Sequence, residues 1–245
     1  MAERTRSYFV ADVHLGLKVG DPKEREERFI AFLKSLDKPD TKTVWLLGDI
    51  WDFWYEYRDV VPREGAKVVA ALIALMDSGI EVRFCEGNHD IWSFSFFEQL
   101  GMQKFSQPFF FEMGGKSFCV GHGDGLGETK WSYALMLKIF HNKVAQALFS
   151  TLHPWLAYRF GLGWSNDNRR THAPYVSKGT DEPLYKYAAQ CDRKADYFIF
   201  GHYHISQQME LPEGGSLVMI KDWLDGGSPY AVFDEADGEI KLISF

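Results

Sequence analysis

Five short apolar runs in this chain each stop at side chains that bind metals, and this repeated pattern restricts the fold more than any other feature. Residues 7–11 (SYFVA) run into Asp12 and His14, and residues 43–47 (TVWLL) into Gly48-Asp49. Residues 81–85 (EVRFC) lead to Gly87-Asn88-His89-Asp90, 116–120 (KSFCV) to Gly121-His122, and 197–200 (YFIF) to Gly201-His202-Tyr203-His204. Each run has the length and apolar content of a buried strand. In α/β folds, loops at the carboxyl ends of strands present side chains to a shared crevice. Five such ends predict an α/β domain with one converging site.

The segments between them supply helices. Asp21 with Glu24 fits a capping box, Pro22 suits the first helical position, and Phe29, Leu33 and Leu36 then share one face. A second helix is expected from about 63 to 78, with Val69, Ile73 and Met76 buried and Gly79 as its stop. From 216 onward short strands alternate with turns such as Asp237-Gly238. Between 126 and about 193 the rhythm changes. Residues 129–160 read as helical, but apolar positions such as Trp131, Met136, Phe140, Phe149 and Trp155 are too many for one buried stripe, and Pro154 should break or kink the helix. A polar stretch, GWSNDNRRTH, and a helix-like piece near 184–191 follow. The expectation is one domain over 1–245, with a helical insertion at about 127–193 packed over the site.

Composition excludes several classes. Hydrophobic residues at 46% and charged residues at 25% describe a globular chain, and a net charge of −7 argues against a dedicated nucleic-acid binder. Cys85, Cys119 and Cys191 show no metal-like spacing and read as free thiols of a reducing compartment. No signal peptide and no run of the roughly 20 apolar residues needed to span a bilayer is apparent, so a cytoplasmic location is expected. The aromatic content, 16%, is mostly core, with a surplus in the insertion suited to lining an apolar ligand site.

The candidate ligands are Asp12, His14, Asp49, Asn88, His122, His202 and His204. Carboxylate, amide oxygen and neutral imidazole suit a hard or borderline divalent ion. On an extended segment, Asp12 and His14 would point to the same face; so would His202 and His204, although on a turn they would reach two neighbouring ions. Asp49, with two oxygens, is the natural bridge. Taken singly, an Asp after a strand is usually a turn or cap, and a lone His a surface or hydrogen-bonded core residue. Together, with His89, these motifs use five of the chain's eight histidines, each at the end of an apolar run. Two ions about 3.5–4 Å apart bind a phosphate and activate a water, which is what phosphate-ester hydrolysis requires.

In this order the motifs D-x-H, G-D-x-x-D (Gly48-Asp49 to Asp52), G-N-H-D, G-H and G-H-x-H resemble the calcineurin-like metallophosphoesterase superfamily over most of the chain. The resemblance implies a four-layer α/β/β/α sandwich with a helical cap insertion. It assigns Asp12, His14, Asp49 and His204 to one metal, and Asp49, Asn88, His122 and His202 to the other. Within the superfamily, FVADVHLG (9–16), LLGDIWDFW (46–54), GHGDGLG (121–127) and the aromatic insertion are most similar to the UDP-2,3-diacylglucosamine hydrolases of lipid A synthesis. That implies pyrophosphate cleavage to UMP and a lipid sugar phosphate, a cap that holds acyl chains, and peripheral contact with the inner membrane. One position departs: much of that family has Arg after the Asn ligand, and here His89 follows Asn88, as in general metallophosphoesterases.

His89 is then a candidate general acid oriented by Asp52, with Asn88 stabilising developing charge; its plainer role is support for a bound phosphate. Arg169, Arg170 and Lys130 are candidates to grip the diphosphate, against ordinary solvated charge. Trp51, with Phe53 and Trp54, is a candidate pocket wall, against simple loop packing. The mixed ligand set suits two Mn²⁺ ions, with Fe²⁺ and Zn²⁺ also accommodated. Three other readings stand beside the lipid one: a phosphoesterase for a soluble nucleotide, cyclic nucleotide or phosphoprotein; a non-catalytic metal-binding scaffold; and a nuclease, which would need a basic channel. Oligomeric state stays open.

Overall fold

The structure, a computed structural model, describes residues 4–171 and 175–245, with the side chains of 164 and 166–171 outside the described set. One mixed sheet contains β1 (Arg6–Val10), β2 (Thr41–Leu47), β3 (Glu81–Cys85), β4 (Gln103–Phe105), β10 (Pro229–Asp234) and β11 (Glu239–Ser244), in the order β11-β10-β1-β2-β3-β4. The second holds β5 (Phe109–Met113), β6 (Lys116–Val120), β7 (Tyr197–Phe200), β8 (Gln207–Glu210) and β9 (Ser216–Met219), in the order β5-β6-β7-β9-β8. The five strands that end in candidate ligands run parallel within their sheets, β1-β2-β3 in one and β6-β7 in the other.

The period-two alternation of strand side chains separates the layers. Tyr8, Val10, Val44 and Leu46 face α1 (Pro22–Ser35) and α2 (Ala66–Asp77), packing on Phe29, Phe32, Leu33, Val68 and Leu72. Phe9, Ala11, Trp45 and Leu47 point the other way, onto Phe118, Val120, Ile199 and Val218 of the second sheet. The outer face of that sheet, with Cys119, Phe198, Phe200 and Leu217, is covered by Leu184 and Ala188 of α7 (Pro183–Gln190). The result is the α/β/β/α sandwich. Trp45, between the sheets, stacks on Phe111 with ring centroids 4.3 Å apart; emptying such a site typically costs about 3–5 kcal/mol.

The helix start at Asp21 forms as its sequence suggests: the Asp21 carboxylate accepts from the N–H groups of Lys23 and Glu24, and Pro22 opens the helix. For α2 the buried face is Val68, Leu72 and Leu75, not Val69, Ile73 and Met76. That helix is apolar nearly all round, so its periodicity leaves the face undecided, and Val69 and Met76 pack at the edge of the core.

Between β6 and β7 the expected long helix is three: α4 (Trp131–Phe140), α5 (Lys143–Phe149) and α6 (Pro154–Thr171). Asn142 caps α5, accepting from the N–H groups of Val144 and Ala145. Pro154 begins α6 instead of kinking a helix that continues through it. α6 then runs through the polar stretch, where the buried Ser165 donates from Oγ to Asp52 Oδ1 (2.8 Å). Phe140 and Phe149 of α4 and α5 settle on Tyr55, Ile91 and Trp92 of the sandwich. The helices over the site are therefore α4–α6, whereas α7 serves as a sandwich layer. α3 (Phe96–Gln99) is a single turn that buries Phe97.

Candidate metal centre

The ligand loops hold an unusual backbone. Asp12, His14, Asp49, His202 and His204 all have positive φ, at 54°, 51°, 53°, 70° and 56°. Non-glycine residues rarely adopt this left-handed region, and Asp, Asn and His tolerate it best. Each such residue stores about 1–3 kcal/mol, retained only when the surroundings over-determine it. Asp12 and His14 therefore converge through two left-handed turns, not through the extended alternation expected from D-x-H, and the same holds for His202 and His204.

The surroundings that enforce these turns are explicit. The N–H of Asp12 donates to Gly48 O (3.1 Å), that of His14 to Asp49 O (2.9 Å), and that of His202 to Asp12 Oδ2 (2.9 Å). The buried Asp90 carboxylate accepts from the N–H groups of Asp49 (3.2 Å), Ile50 (2.9 Å), Trp51 (3.3 Å) and Gly87 (2.7 Å), joining two ligand loops. Glycine is required where they touch. Gly48 has φ +83°, and a Cβ there would lie 2.6 Å from Gly87 N; a Cβ at Gly201 would lie 2.2 Å from Asp12 Oδ2.

Side-chain hydrogen bonds set the imidazole tautomers. His122 Nδ1 lies 3.0 Å from Leu47 O, a pure acceptor, so Nδ1 carries a proton, and Nε2 faces Asp49 Oδ2 at 3.3 Å. His14 Nδ1 lies 3.2 Å from Asp52 Oδ1, while Nε2 faces Asp12 Oδ1 (3.6 Å) and Asp49 Oδ2 (3.9 Å). His204 Nδ1 is 2.9 Å from Asp222 Oδ2 and 3.7 Å from Asp12 Oδ1. Asp49 Oδ2 thus lies between His14 and His122. Ligand atoms of Asp12, His14 and His204, and those of Asp12, Asp49 and His122, fall within 4.8 Å of one another.

The electrostatics are those of a site assembled around cations. Burial works to raise the carboxyl pKa of Asp12, but His204, His14 and His122 outweigh it and hold the pKa below the usual range. For Asp49, burial is likewise outweighed by His122 and His89. Burial disfavours a charged His14, yet the adjacent Asp12 and Asp52 carboxylates lift its pKa to about 9. His202 is driven the other way, down to about 3, by burial and by His122. Burial and the neighbouring Asp49 push Asp90 up to about 7, against the N–H groups that favour its charged form. Asp12 Oδ1, Asn88 Oδ1 and His122 Nε2 are buried polar atoms with no hydrogen bond among the described residues. Such atoms are costly unless something else satisfies them, and divalent cations fit this donor set.

The seven expected ligands are thus brought together from five strand ends. His89 joins them: its Nδ1 lies 2.8 Å from Asp52 O and its Nε2 4.0 Å from Asp49 Oδ2. Sequence reasoning passed over Asp222, although it too follows an apolar run, residues 217–220. It also passed over the amide-gathering role of Asp90 and the Ser165 contact to Asp52.

A cavity of about 830 Å³ opens from the centre beneath the cap. Asp49, Asn88, His89, His202 and His204 of the centre line it together with apolar residues such as Phe53, Trp92, Met136, Phe149 and Leu152. Of the expected substrate contacts, Trp51 is instead fully buried in the core, stacked on Phe97 with centroids 4.7 Å apart, because the loop turns it inward and Phe53 outward. Lys130 is exposed at the start of α4 and does not line the cavity. Arg169 and Arg170 lie on α6, and their side chains are outside the described set.

Residues 5–206 match the calcineurin-like phosphoesterase family. The chain is 32% identical over 250 residues to a UDP-2,3-diacylglucosamine hydrolase of Porphyromonas gingivalis, covering 94% of this chain and 95% of the relative. It is 31% identical to the enzyme of that name from Neisseria meningitidis serogroup C, covering 95% of each. Among solved structures, a dimetal phosphatase from Danio rerio aligns over 99% of this chain and 96% of its own, with a TM-score of 0.50 and 15% identity, a likeness of fold alone. Family membership implies a dinuclear divalent-metal site, and the clustered carboxylates and imidazoles supply candidate ligands for it. With its motifs, its sandwich and this centre in agreement, the chain belongs to the calcineurin-like phosphoesterase family and is a metal-dependent hydrolase.

Proposed function

We propose that this chain hydrolyses the pyrophosphate bond of UDP-2,3-diacylglucosamine, releasing UMP and 2,3-diacylglucosamine 1-phosphate in lipid A biosynthesis. The observation that carries this reading is the lining of the cavity, which joins carboxylates and imidazoles of the centre to aromatic and aliphatic walls. A substrate with a diphosphate joined to fatty chains has the same pairing. The relatives bearing that enzyme's name align across the cap as well as the sandwich, which supports it further.

In this reading Asp12, His14, Asp49 and His204 would hold one ion, and Asp49, Asn88, His122 and His202 the other, Asp49 being common to both sets. The mixed oxygen and nitrogen donors suit Mn²⁺, and Fe²⁺ and Zn²⁺ fit the same set. Two ions held by these residues would supply Lewis-acid polarisation of the phosphoryl oxygens and a nucleophilic water at neutral pH. The protein's own groups do the rest. His89 donates from Nδ1 to Asp52 O, which turns Nε2 toward the cavity, where it delivers a proton to the leaving phosphate oxygen as the bridging P–O bond breaks. The Asn88 amide N–H donates to the phosphoryl group while its Oδ1 serves as ligand. The apolar walls exclude bulk water and hold the chains.

The cap exposes Trp131 (79%) and Trp155 (64%), neither of which lines the cavity, and this supports peripheral contact with the inner face of a membrane. Among the described residues no helix is long and apolar enough to cross one. The three cysteines are free, in keeping with a cytoplasmic location. The test is UMP release from UDP-2,3-diacylglucosamine by the Mn²⁺-loaded protein, with an aryl phosphodiester run in parallel. UMP release that disappears in Asp49→Ala is the expected result. Diester turnover without UMP release would sink the lipid substrate and point to a soluble nucleotide or other phosphoester.

A further inference from the structure

Helix α1 turns one charged side chain inward. Arg25 is only 1% exposed, although its neighbours Lys23, Glu24 and Glu27 all face solvent. Charged groups are almost never buried so deeply unless paired, and among the described residues no carboxylate lies within ion-pair distance of it. Its guanidinium is given over to backbone carbonyls instead: Nη1 donates to Val19 O (2.9 Å), and Nη2 to His14 O (3.0 Å) and Leu17 O. These three carbonyls belong to the loop that presents His14 in its left-handed conformation. Opposite them, the N–H of His14 donates to Asp49 O.

The loop is therefore held from both sides, by β2's neighbour Asp49 and by α1. The helix is a firm anchor, capped at Asp21 and buried through Phe29, Phe32 and Leu33. One turn further along, Arg28 Nη2 donates to Trp223 O (3.0 Å) and Gly227 O (3.4 Å), in the loop whose Asp222 meets His204. A guanidinium suits this role because its two Nη groups, held rigidly in one plane, reach three carbonyls spaced along the loop.

We propose that Arg25 is a positioning residue for the metal centre, locking the 14–19 loop so that His14 Nε2 stays aimed at Asp12 and Asp49. The inference rests on the ligand assignment above, and concerns the ion held by Asp12, His14 and His204. Groups behind metal ligands typically account for about 10–100-fold in metal affinity.

Calorimetric titration of the metal-free full chain with Mn²⁺ tests this for the natural sequence, Arg25→Met, Arg25→Lys, Asp12→Ala and the double variant Asp12→Ala/Arg25→Met, with thermal melting of each. Arg25→Met should weaken one of two sites by about 10–100-fold and leave the other unchanged. Arg25→Lys, which keeps the charge but reaches fewer carbonyls, should fall between. In the Asp12→Ala background Arg25→Met should have no further effect on the remaining ion, since both act on one site. Wild-type affinity at both sites in Arg25→Met, or equal weakening of both in Arg25→Lys, would overturn the inference. Should Arg25→Met fail to fold, the site-selective loss in Arg25→Lys decides alone. If Asp12→Ala itself leaves both ions bound, the ligand assignment fails, and the role of Arg25 stands only if Arg25→Met still weakens one site.

Discussion

Asp12, His14, Asp49 and His122 are almost wholly buried and tied through backbone hydrogen bonds to neighbouring loops, whereas α4 of the cap buries none of its 10 residues. Asp49 of the first and Tyr133, Met136, Ile139 and Phe140 of the second line the same cavity. At its floor, strained left-handed residues are over-determined by glycine contacts and by carboxylates such as Asp90 that collect amide groups. At its roof, short helices meet the sandwich through a few aromatic contacts, Phe140 and Phe149 on Trp92 at 5.0 and 5.1 Å. The contrast matches two demands. Charge stabilisation requires donors fixed before the substrate arrives, while acyl chains need only an apolar volume that can adjust around them.

Changes at the floor should abolish chemistry, and changes at the roof should alter only what is accepted. The largest effect is expected for Asp49→Ala, which removes the acceptor facing both His14 and His122. Turnover of any phosphoester should drop by at least about 10³-fold, the upper range for loss of one charge-stabilising group. Retained turnover of the aryl diester would break the comparison at its base. Next comes Asp222→Asn, which leaves His204 without its carboxylate partner. Mn²⁺ affinity, measured by titration, should weaken by about 10–100-fold, while saturating metal restores most of the activity. An unchanged metal affinity would remove Asp222 from the centre.

At the roof, Phe149→Ala should raise KM for the lipid substrate by about 10-fold, the equivalent of losing part of one buried aromatic side chain. Kinetics on the aryl diester should not move. A matching loss on both substrates would show that the cap shapes the metal centre as well as the pocket. The smallest effect is expected for Trp131→Ser with Trp155→Ser. Each should weaken sedimentation with phospholipid vesicles several-fold, about 1 kcal/mol per exposed ring. Activity in detergent micelles should be preserved. Vesicle binding equal to that of the natural sequence would leave the outer face of the cap without a role.

Much of the centre was readable from local pattern, because a buried strand must be apolar and a ligand must be polar, so the boundary between them marks the site. The strands ending before Asp12, Asp49, Asn88, His122 and His202, the cap at Asp21 and the stop at Gly79 all follow from rules that act over a few residues. The buried face of α2 did not, because a helix apolar nearly all round has no strong period. Trp51 was open to two readings for a related reason: in a run as aromatic as 51–55, only the packed loop decides which ring turns inward.

What this sequence determined by itself is the five strands that lead into the site and the residue types at their ends, and hence an α/β domain with metal-binding chemistry at one converging site; the two-sheet sandwich followed from the family resemblance. The tertiary structure alone decided how those ends meet. The N–H of His202 reaches Asp12 across 190 positions of chain, and Arg25 and Asp222 are assigned to the centre only by the loops they hold. Left-handed turns at five candidate ligands carry no strong local signal, because they are unfavourable alone and persist only through contacts made by distant segments.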